Sequence, residues 1–489
     1  MNQARLEKMR EAQRLWAQQP IRDRLRVIRK LRELIASEPE EVARLVPHNT
    51  AGALHRTDAE TLVAEVLPLA AACLFWEREA EAILRKRRMG RQGRPLWLTG
   101  VTAEIERVPL GIVLLVAPGN YPLLLAGVQA LQALAAGNAV AWKPAPGTEA
   151  VAERFADMLH KCGLPEALLE VMDGDATAVQ KAIRLGVDHV VLTGSAKTGT
   201  AVLHQTAETL TPATMELSGW DAVFVLRGAD LERVAQAVVF GMRFNGSFTC
   251  MAPRRMILVG LADDQAQWLE TELRIRLAAL DAVAISREGH EKLIQMVADA
   301  RAAQAEIALD GSVLTDGRAS TTLILSAHPK MQAMRGEVFA PVLSVLRTDN
   351  LQQAVEAHAE CAFGLTASIF GPIPAAKELT KKLRVGHVVI QDLMTPTADP
   401  RVSFGGVGRS GFGVTRGRDG LLAMTRARVV QTQHRLSRRS YERIGVEHTG
   451  LFAGMICSLY AGGMAARLQG MRQMVRAAMD LRKKEKARR

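Results

Sequence analysis

Aromatic side chains make up only 4% of the 489 residues. That argues against a nucleic-acid platform, where aromatic rings interleave with basic residues. The five cysteines, Cys73, Cys162, Cys250, Cys361 and Cys457, are far apart and form no C-x-x-C pair. Neither a disulfide framework nor a zinc site follows from such spacing. No apolar run reads as a membrane span, and the helical, charged start Met1–Gln19 lacks the apolar core of a signal peptide. The expected location is the cytoplasm. Internal repeats and low-complexity linkers are absent.

Acidic residues are outnumbered, 51 against 63 Lys and Arg, for a formal net charge of +12. Part of the excess is local, in Arg85-Lys86-Arg87-Arg88 and in the run from Lys483 to Arg489. With no interleaved aromatics these clusters read as solvated charge, and no nucleic-acid partner is expected. Hydrophobic content of 48% is that of an ordinary globular chain, and the length calls for two or three domains.

What the chain has is a change of period. Ile21, Leu25, Ile28, Leu31, Leu34 and Ile35 recur at helical spacing. Ser37-Glu38-Pro39-Glu40 reads as a capping box for the next helix, and Leu96–Val101 as a strand and turn. From Gly111, short apolar runs alternate with helical ones: 111–117, 139–143, 168–172 and 188–192 are strands. A second series begins at Asp221 and runs to about Pro400. The fold class is α/β, two doubly wound lobes with parallel sheets and a cleft between them.

Three segments carry chemistry. Cys250 lies in Phe244-Asn245-Gly246-Ser247-Phe248-Thr249-Cys250, Glu216 in Met215-Glu216-Leu217-Ser218-Gly219, and Asn120 in Pro118-Gly119-Asn120-Tyr121-Pro122. A thiol, a carboxylate and an amide supply the nucleophile, base and oxyanion donor of acyl chemistry. A buried, inert thiol is the commoner state of a cysteine and is the reading for the other four. Gly406-Val407-Gly408-Arg409-Ser410-Gly411 matches G-x-G-x-x-G, but no apolar strand precedes it and no helix follows, so it is not a dinucleotide fingerprint. Thr193-Gly194-Ser195 ends a strand and opens a helix, a geometry that offers backbone N–H groups to a phosphate.

These segments, in this order, resemble the aldehyde dehydrogenase superfamily over roughly residues 10–433. The resemblance also covers Gly137-Asn138-Ala139-Val140-Ala141-Trp142-Lys143-Pro144, Glu337-Val338-Phe339-Ala340-Pro341, Phe363-Gly364-Leu365-Thr366-Ala367-Ser368 and Phe404-Gly405-Gly406-Val407-Gly408-Arg409-Ser410-Gly411. It implies NAD(P)-dependent oxidation of an aldehyde to its acid through a Cys250 thioester, with Glu216 as base and Asn120 as oxyanion donor. Cofactor contacts fall on Lys143, Thr193, Gly194, Ser195, Gly199, Glu337 and Phe339. It further implies a small β oligomerisation element and a homodimer or homotetramer. The expected domains are cofactor-binding (1–95 and 111–217), catalytic (218–410) and oligomerisation (96–110 and 422–435), with a basic and apolar extension at 436–489.

Three departures stand out. Ser247-Phe248 precedes the cysteine where Gly-Gln is usual, so Phe248 is expected to narrow or grease the aldehyde tunnel. The stretch between Cys250 and Glu337 is shorter than usual. Pro146 stands where many members carry a glutamate that binds the ribose hydroxyls, which leaves NAD or NADP open. Two rival readings remain: a catalytically weak scaffolding or membrane-associated member, and an acyl-CoA reductase, against which Glu216 argues. Phe248, Tyr121 and the apolar tail lean toward a hydrophobic aldehyde. Within the extension, Leu451, Met455, Ile456 and Leu459 make an apolar helical face between basic flanks that include Arg435, Arg438, Arg439 and Arg443. It reads either as a packing helix, the commoner case, or as a peripheral membrane contact.

Overall fold

A computed structural model describes residues 1–46, 56–98, 100–311, 317–434 and 443–488. The basic residues Arg435, Arg438 and Arg439 of the sequence reading lie outside the described residues.

The first sheet has six strands, in the order Gly411–Phe412, Ala213–Leu217, His189–Gly194, Ile112–Val116, Ala139–Lys143, Leu169–Val171. All pairings are parallel except that of Gly411–Phe412 with Ala213–Leu217. Ile112–Val116 and Ala139–Lys143 are buried along their whole length, as a parallel sheet covered on both faces requires. The chain runs outward from Ile112–Val116 on one side, then returns to His189–Gly194 on the other. That reversal is a topological switch point, and ligands collect beyond the strand C-termini there. Asn120 follows the first of these two strands, and Ser195 follows the second.

The second sheet has seven strands, in the order Glu306–Leu309, Thr322–Leu325, Val342–Thr348, Pro253–Val259, Asp221–Leu226, Thr366–Phe370, His387–Ile390. Only Glu306–Leu309 is antiparallel to its neighbour. Cys250 lies just before Pro253–Val259, so this sheet serves the site from the N-terminal ends of its strands. A third sheet orders Arg87–Arg88, Val101–Pro109 and Thr425–Gln433.

By contacts the chain divides into two compact units. One comprises Met1–Arg87 with Ile105–Val429, and contains every candidate site residue. The other comprises Arg88–Glu104 with Val430–Arg489. Within it, Thr102 Oγ1 and His434 Nε2 are 3.0 Å apart, and the His434 N–H donates to the Gly100 carbonyl. Its helices Thr449–Tyr460 and Met464–Arg488 form a hairpin with very close backbones. A β-carbon on Gly454 would sit 2.4 Å from the Met474 nitrogen, and one on Gly470 2.5 Å from the Ser458 nitrogen.

Three local expectations are corrected. Ser37 does not start a capping box: its hydroxyl donates to the Leu34 carbonyl and closes the helix Ile21–Ser37, while Pro39–Arg44 starts with no side-chain cap. Leu96–Leu98 is a 3₁₀ turn, and the strand begins at Val101. One helical run, Asp58–Leu84, is in fact long and apolar enough to cross a bilayer. Here Leu69, Cys73, Trp76, Ala80 and Ile83 pack into the core of the first sheet, and Glu65 pairs with Arg56 inside the protein.

Candidate active site

The loop that carries Cys250 is held in an uncommon backbone conformation. Asn245, Gly246 and Ser247 have φ of 53°, 57° and 68°, three successive residues in the left-handed region. For residues other than glycine that conformation costs about 1–2 kcal/mol each, so the surroundings must hold it. Two buried side chains do so. Arg254 Nη1 donates to Ser247 Oγ at 2.8 Å and to the Ala340 carbonyl, and its Nη2 donates to the Ser247 carbonyl. Asn245 Nδ2 donates to the carbonyls of Asn120 (3.1 Å) and Phe248 (3.2 Å). Burial lowers Arg254 to about 10, so it stays a cation at neutral pH.

Asn120 is fixed from the other lobe. Its Nδ2 donates one hydrogen to the Phe248 carbonyl at 3.0 Å, which leaves the second amide hydrogen for a ligand. Next to it, Tyr121 OH meets Thr249 Oγ1 at 2.5 Å. Glu65, in the π-helical turn Leu62–Val66, accepts from the backbone N–H groups of Leu123 and Leu124, both at 2.8 Å. It thereby caps the helix Leu124–Ala135 and pins the loop that carries Asn120.

Glu216 lies on the strand Ala213–Leu217 and is buried. Its Oε2 accepts from Thr415 Oγ1 at 2.7 Å, while Oε1 has no partner among the described residues. Gly411 pairs with Glu216 across the sheet edge, so the glycine-rich loop read as G-x-G-x-x-G supports the carboxylate strand instead of cradling a nucleotide. Burial raises Glu216 above the usual carboxylate range, against the nearby Arg416 cation and the Thr415 hydrogen bond. The half-buried Cys250 thiol is likewise pushed up, by burial first and then by Glu216 and Asp221.

Two cavities meet at this pair. One, of about 270 Å³, is lined by Thr193, Gly194, Ser195, Pro146 and Phe339 as well as Asn120. The other, of about 330 Å³, is walled by apolar groups such as Val63, Leu67, Phe240, Phe244 and Met251. Leu125, Glu216 and Cys250 line both. Phe248 lines only the first, tilted against Phe339 with ring centroids 6.1 Å apart. The expectation that it narrows the aldehyde tunnel is therefore corrected. The Asn245–Ser247 turn carries its ring to the polar side.

The first cavity offers the phosphate site that a dinucleotide needs. Ser195 caps the helix Ala196–Thr209, accepting from the Thr198 N–H at 3.1 Å, and lines the cavity at the helix start, where backbone N–H groups can meet a phosphate. Gly194 keeps the approach free of a side chain. Lys143 and Glu337 do not line this cavity. Lys143 is nearly buried, lowered by that burial, and has no hydrogen-bond partner among the described residues. Gly199 does not line it either: a β-carbon there would meet Leu217 at 2.8 Å, so this glycine serves helix-to-strand packing. Arg254, Asn245, Thr415 and Arg416 were missed from the sequence, because only tertiary contacts give them a part in the site.

The sequence profile of the aldehyde dehydrogenase family matches residues 2–430. The chain is 30% identical over 432 residues to 4,4'-diapolycopene aldehyde oxidase of Methylomonas sp, covering 86% of this chain and 79% of that protein. Among solved structures it resembles the NAD-dependent aldehyde dehydrogenase of Sinorhizobium meliloti, with TM-score 0.79, 24% identity, and 88% and 86% of the two chains covered. It also resembles an NADP-dependent enzyme of E. coli, with TM-score 0.78, 20% identity, and 88% and 89% covered. At those identities the two structures bear on the fold alone. The family match over nearly the whole chain, with the fold and the paired cavities, means that the protein belongs to the aldehyde dehydrogenase family, enzymes that oxidise aldehydes with NAD or NADP.

Proposed function

We propose that the protein oxidises a hydrophobic aldehyde to its carboxylic acid, with Cys250 as nucleophile, Glu216 as base and Asn120 as oxyanion donor. The observation that carries this reading is the meeting, at Cys250 and Glu216, of an apolar cavity with a more polar one that includes the Ser195 helix start. The Glu216 carboxylate takes the thiol proton, and the sulfur adds to the aldehyde carbon. The second Asn120 amide hydrogen and the Cys250 N–H stabilise the oxyanion. As the oxyanion collapses, the carbon loses hydride and becomes a thioester. NAD or NADP, when bound, supplies the hydride acceptor. Glu216 releases the thiol proton to solvent and then takes a proton from water as the water oxygen attacks the thioester; the tetrahedral adduct collapses, the acid leaves, and Glu216 returns that proton to the departing Cys250 sulfur.

Ser195 and the start of the helix Ala196–Thr209 would hold the pyrophosphate. Lys143 would reach the adenosine ribose, and Glu337 and Phe339 the nicotinamide side. Thr193 and Gly194 complete that wall.

Rapid-mixing kinetics with aldehydes of rising chain length test the assignment. Cys250→Ala should abolish NADH or NADPH formation while cofactor binding persists. Glu216→Gln should keep the first-turnover burst and slow later turnovers on the order of 10²-fold. An active alanine variant overturns the nucleophile, and an undiminished steady state in Glu216→Gln overturns the base.

Members of the family are generally oligomeric. We assign homodimer or homotetramer formation to the exposed edge strand Thr425–Gln433, whose Val429 and Val430 face solvent. Peripheral membrane contact is proposed for the helical hairpin. In support, Met464, Leu468, Met471, Val475 and Met479 form an exposed stripe along Met464–Arg488, while the earlier candidate face on Thr449–Tyr460 is partly spent on packing at Gly454.

A further inference from the structure

We propose that Arg416 is a positioning residue of the catalytic pair, whose guanidinium lowers the cost of charge on the Glu216 carboxylate and on the Cys250 sulfur from the substrate side. The inference rests on the reading of Cys250 as nucleophile and Glu216 as base.

Arg416 and Glu216 are the only cation and the only anion among the described residues that line the apolar cavity, and Cys250 lines it with them. A guanidinium in such a wall needs a reason. Its carbon lies 4.3 Å from the centre of the Phe404 ring, and Nη1 donates to the Thr397 carbonyl at 2.8 Å. Its Nε is buried with no partner among the described residues. The residue adopts φ of 56°, a conformation that L-residues rarely take. The ring and the carbonyl thus hold in place a cation that is not otherwise satisfied.

The turn also links it to the base. Thr415, the preceding residue, donates to Glu216 Oε2, and the free Oε1 remains for chemistry. Charges interact strongly in such poorly hydrated surroundings, so a cation on the same wall favours a carboxylate and a thiolate over their neutral forms. Of the other titratable groups around the pair, most do not supply that charge. Asp221 and Tyr121 are neutral or acidic, and burial keeps His387, behind Phe404, and His189, bonded to Thr214, below their ordinary range. The Arg56 cation is paired with Glu65. Burial and the two acidic neighbours raise Cys250, and Arg416 is the cation on the cavity wall that opposes them; Arg254 also acts on Cys250, but its guanidinium is committed to Ser247 and the Ala340 carbonyl.

The test is the pH dependence of steady-state turnover and of iodoacetamide alkylation of Cys250. Wild type is compared with Arg416→Met, Arg416→Lys and Phe404→Leu. In Arg416→Met the acid limb of both profiles should move up by about one pH unit or more, a loss of roughly tenfold at neutral pH that alkaline pH restores. Arg416→Lys should restore most of the limb. Phe404→Leu, which only loosens the guanidinium, should move it part of the way if Arg416→Met fails to fold. A uniform fall in rate with the limbs unmoved, or a lysine variant as impaired as methionine, overturns the proposal. Normal deacylation in Glu216→Gln would instead remove the base assignment, which separates the two failures.

Discussion

Gly219 packs directly on the backbone of Cys250: a β-carbon on Gly219 would sit 2.5 Å from the Cys250 carbonyl oxygen and 2.7 Å from Asp221 Oδ1. The strand end that follows Glu216 and the loop that bears the nucleophile meet here with no room for a methyl group. Real β-carbons do not approach backbone oxygen that closely, so any larger residue must push the Cys250 loop away.

Gly219→Ala is therefore expected to lower turnover at least tenfold, since small misplacements of reacting groups are costly. Binding of NAD, measured by fluorescence quenching, should change little, because Thr193–Ser195 lie on another strand. An alanine variant with unaltered turnover would mean that the two segments separate without consequence for the chemistry.

Asp221 gives a pH effect on stability. Burial raises its carboxyl from 3.8 to about 7, although Thr366 donates to it from its N–H (3.1 Å) and its hydroxyl (2.6 Å). The folded chain binds this proton more tightly than the unfolded chain does. Its stabilising contribution is full below pH 3.8 and is lost as pH rises through about 7. Asp221→Asn removes the titration and keeps the hydrogen bond from the Thr366 N–H. Its unfolding free energy relative to wild type should rise between pH 5 and pH 8, by on the order of a few kcal/mol. The same variant should let Cys250 alkylate at lower pH, because one of the two carboxyls that raise the thiol is gone. A constant difference across pH would show that Asp221 does not titrate in this window.

The parts of the site that were legible in the sequence are those whose local chemistry declares itself. Cys250, Glu216 and Asn120 each sit among small residues, and Ser195 follows a strand and opens a helix. The alternation of strands and helices gave both sheets because apolar runs such as Ile112–Val116 have to be covered on both faces. What escaped depends on contacts across long stretches of chain. Arg254 reaches Ala340, and Thr415 reaches Glu216, partners that no local pattern joins. Phe248 was placed on the wrong side because three left-handed residues before it reverse the direction of the loop.

Pro146 bears on the choice of cofactor. It lines the polar cavity and carries no charge, so nothing at this position repels a ribose 2′-phosphate. Measurable turnover with NADP is expected in the wild type. Pro146→Glu should lower kcat/KM for NADP relative to NAD by about tenfold or more, since like-charge contacts cost several kcal/mol when desolvated. Strict NAD dependence in the wild type would turn attention to Glu149, a carboxylate that acts on Lys143. Glu149→Gln would then be the variant that admits NADP.

The helical hairpin gives the last prediction. Met464, Leu468, Met471, Val475 and Met479 are separated by four, three, four and four residues, so they share one face of Met464–Arg488. All five are exposed, and so are Arg467, Arg472 and Arg476, which fall beside that face. An apolar stripe between cations matches a bilayer surface with anionic headgroups, where each nearby basic side chain adds about 1 kcal/mol. The full chain should float with anionic vesicles at low salt and detach as salt screens the headgroups. Deleting the residues after Gly450, or introducing Met471→Glu with Val475→Glu, should abolish flotation. Aldehyde turnover should persist, because every candidate site residue lies in the other compact unit. A full chain that ignores the vesicles, together with a deletion that breaks the oligomer, would show that the stripe packs against a second copy of the protein.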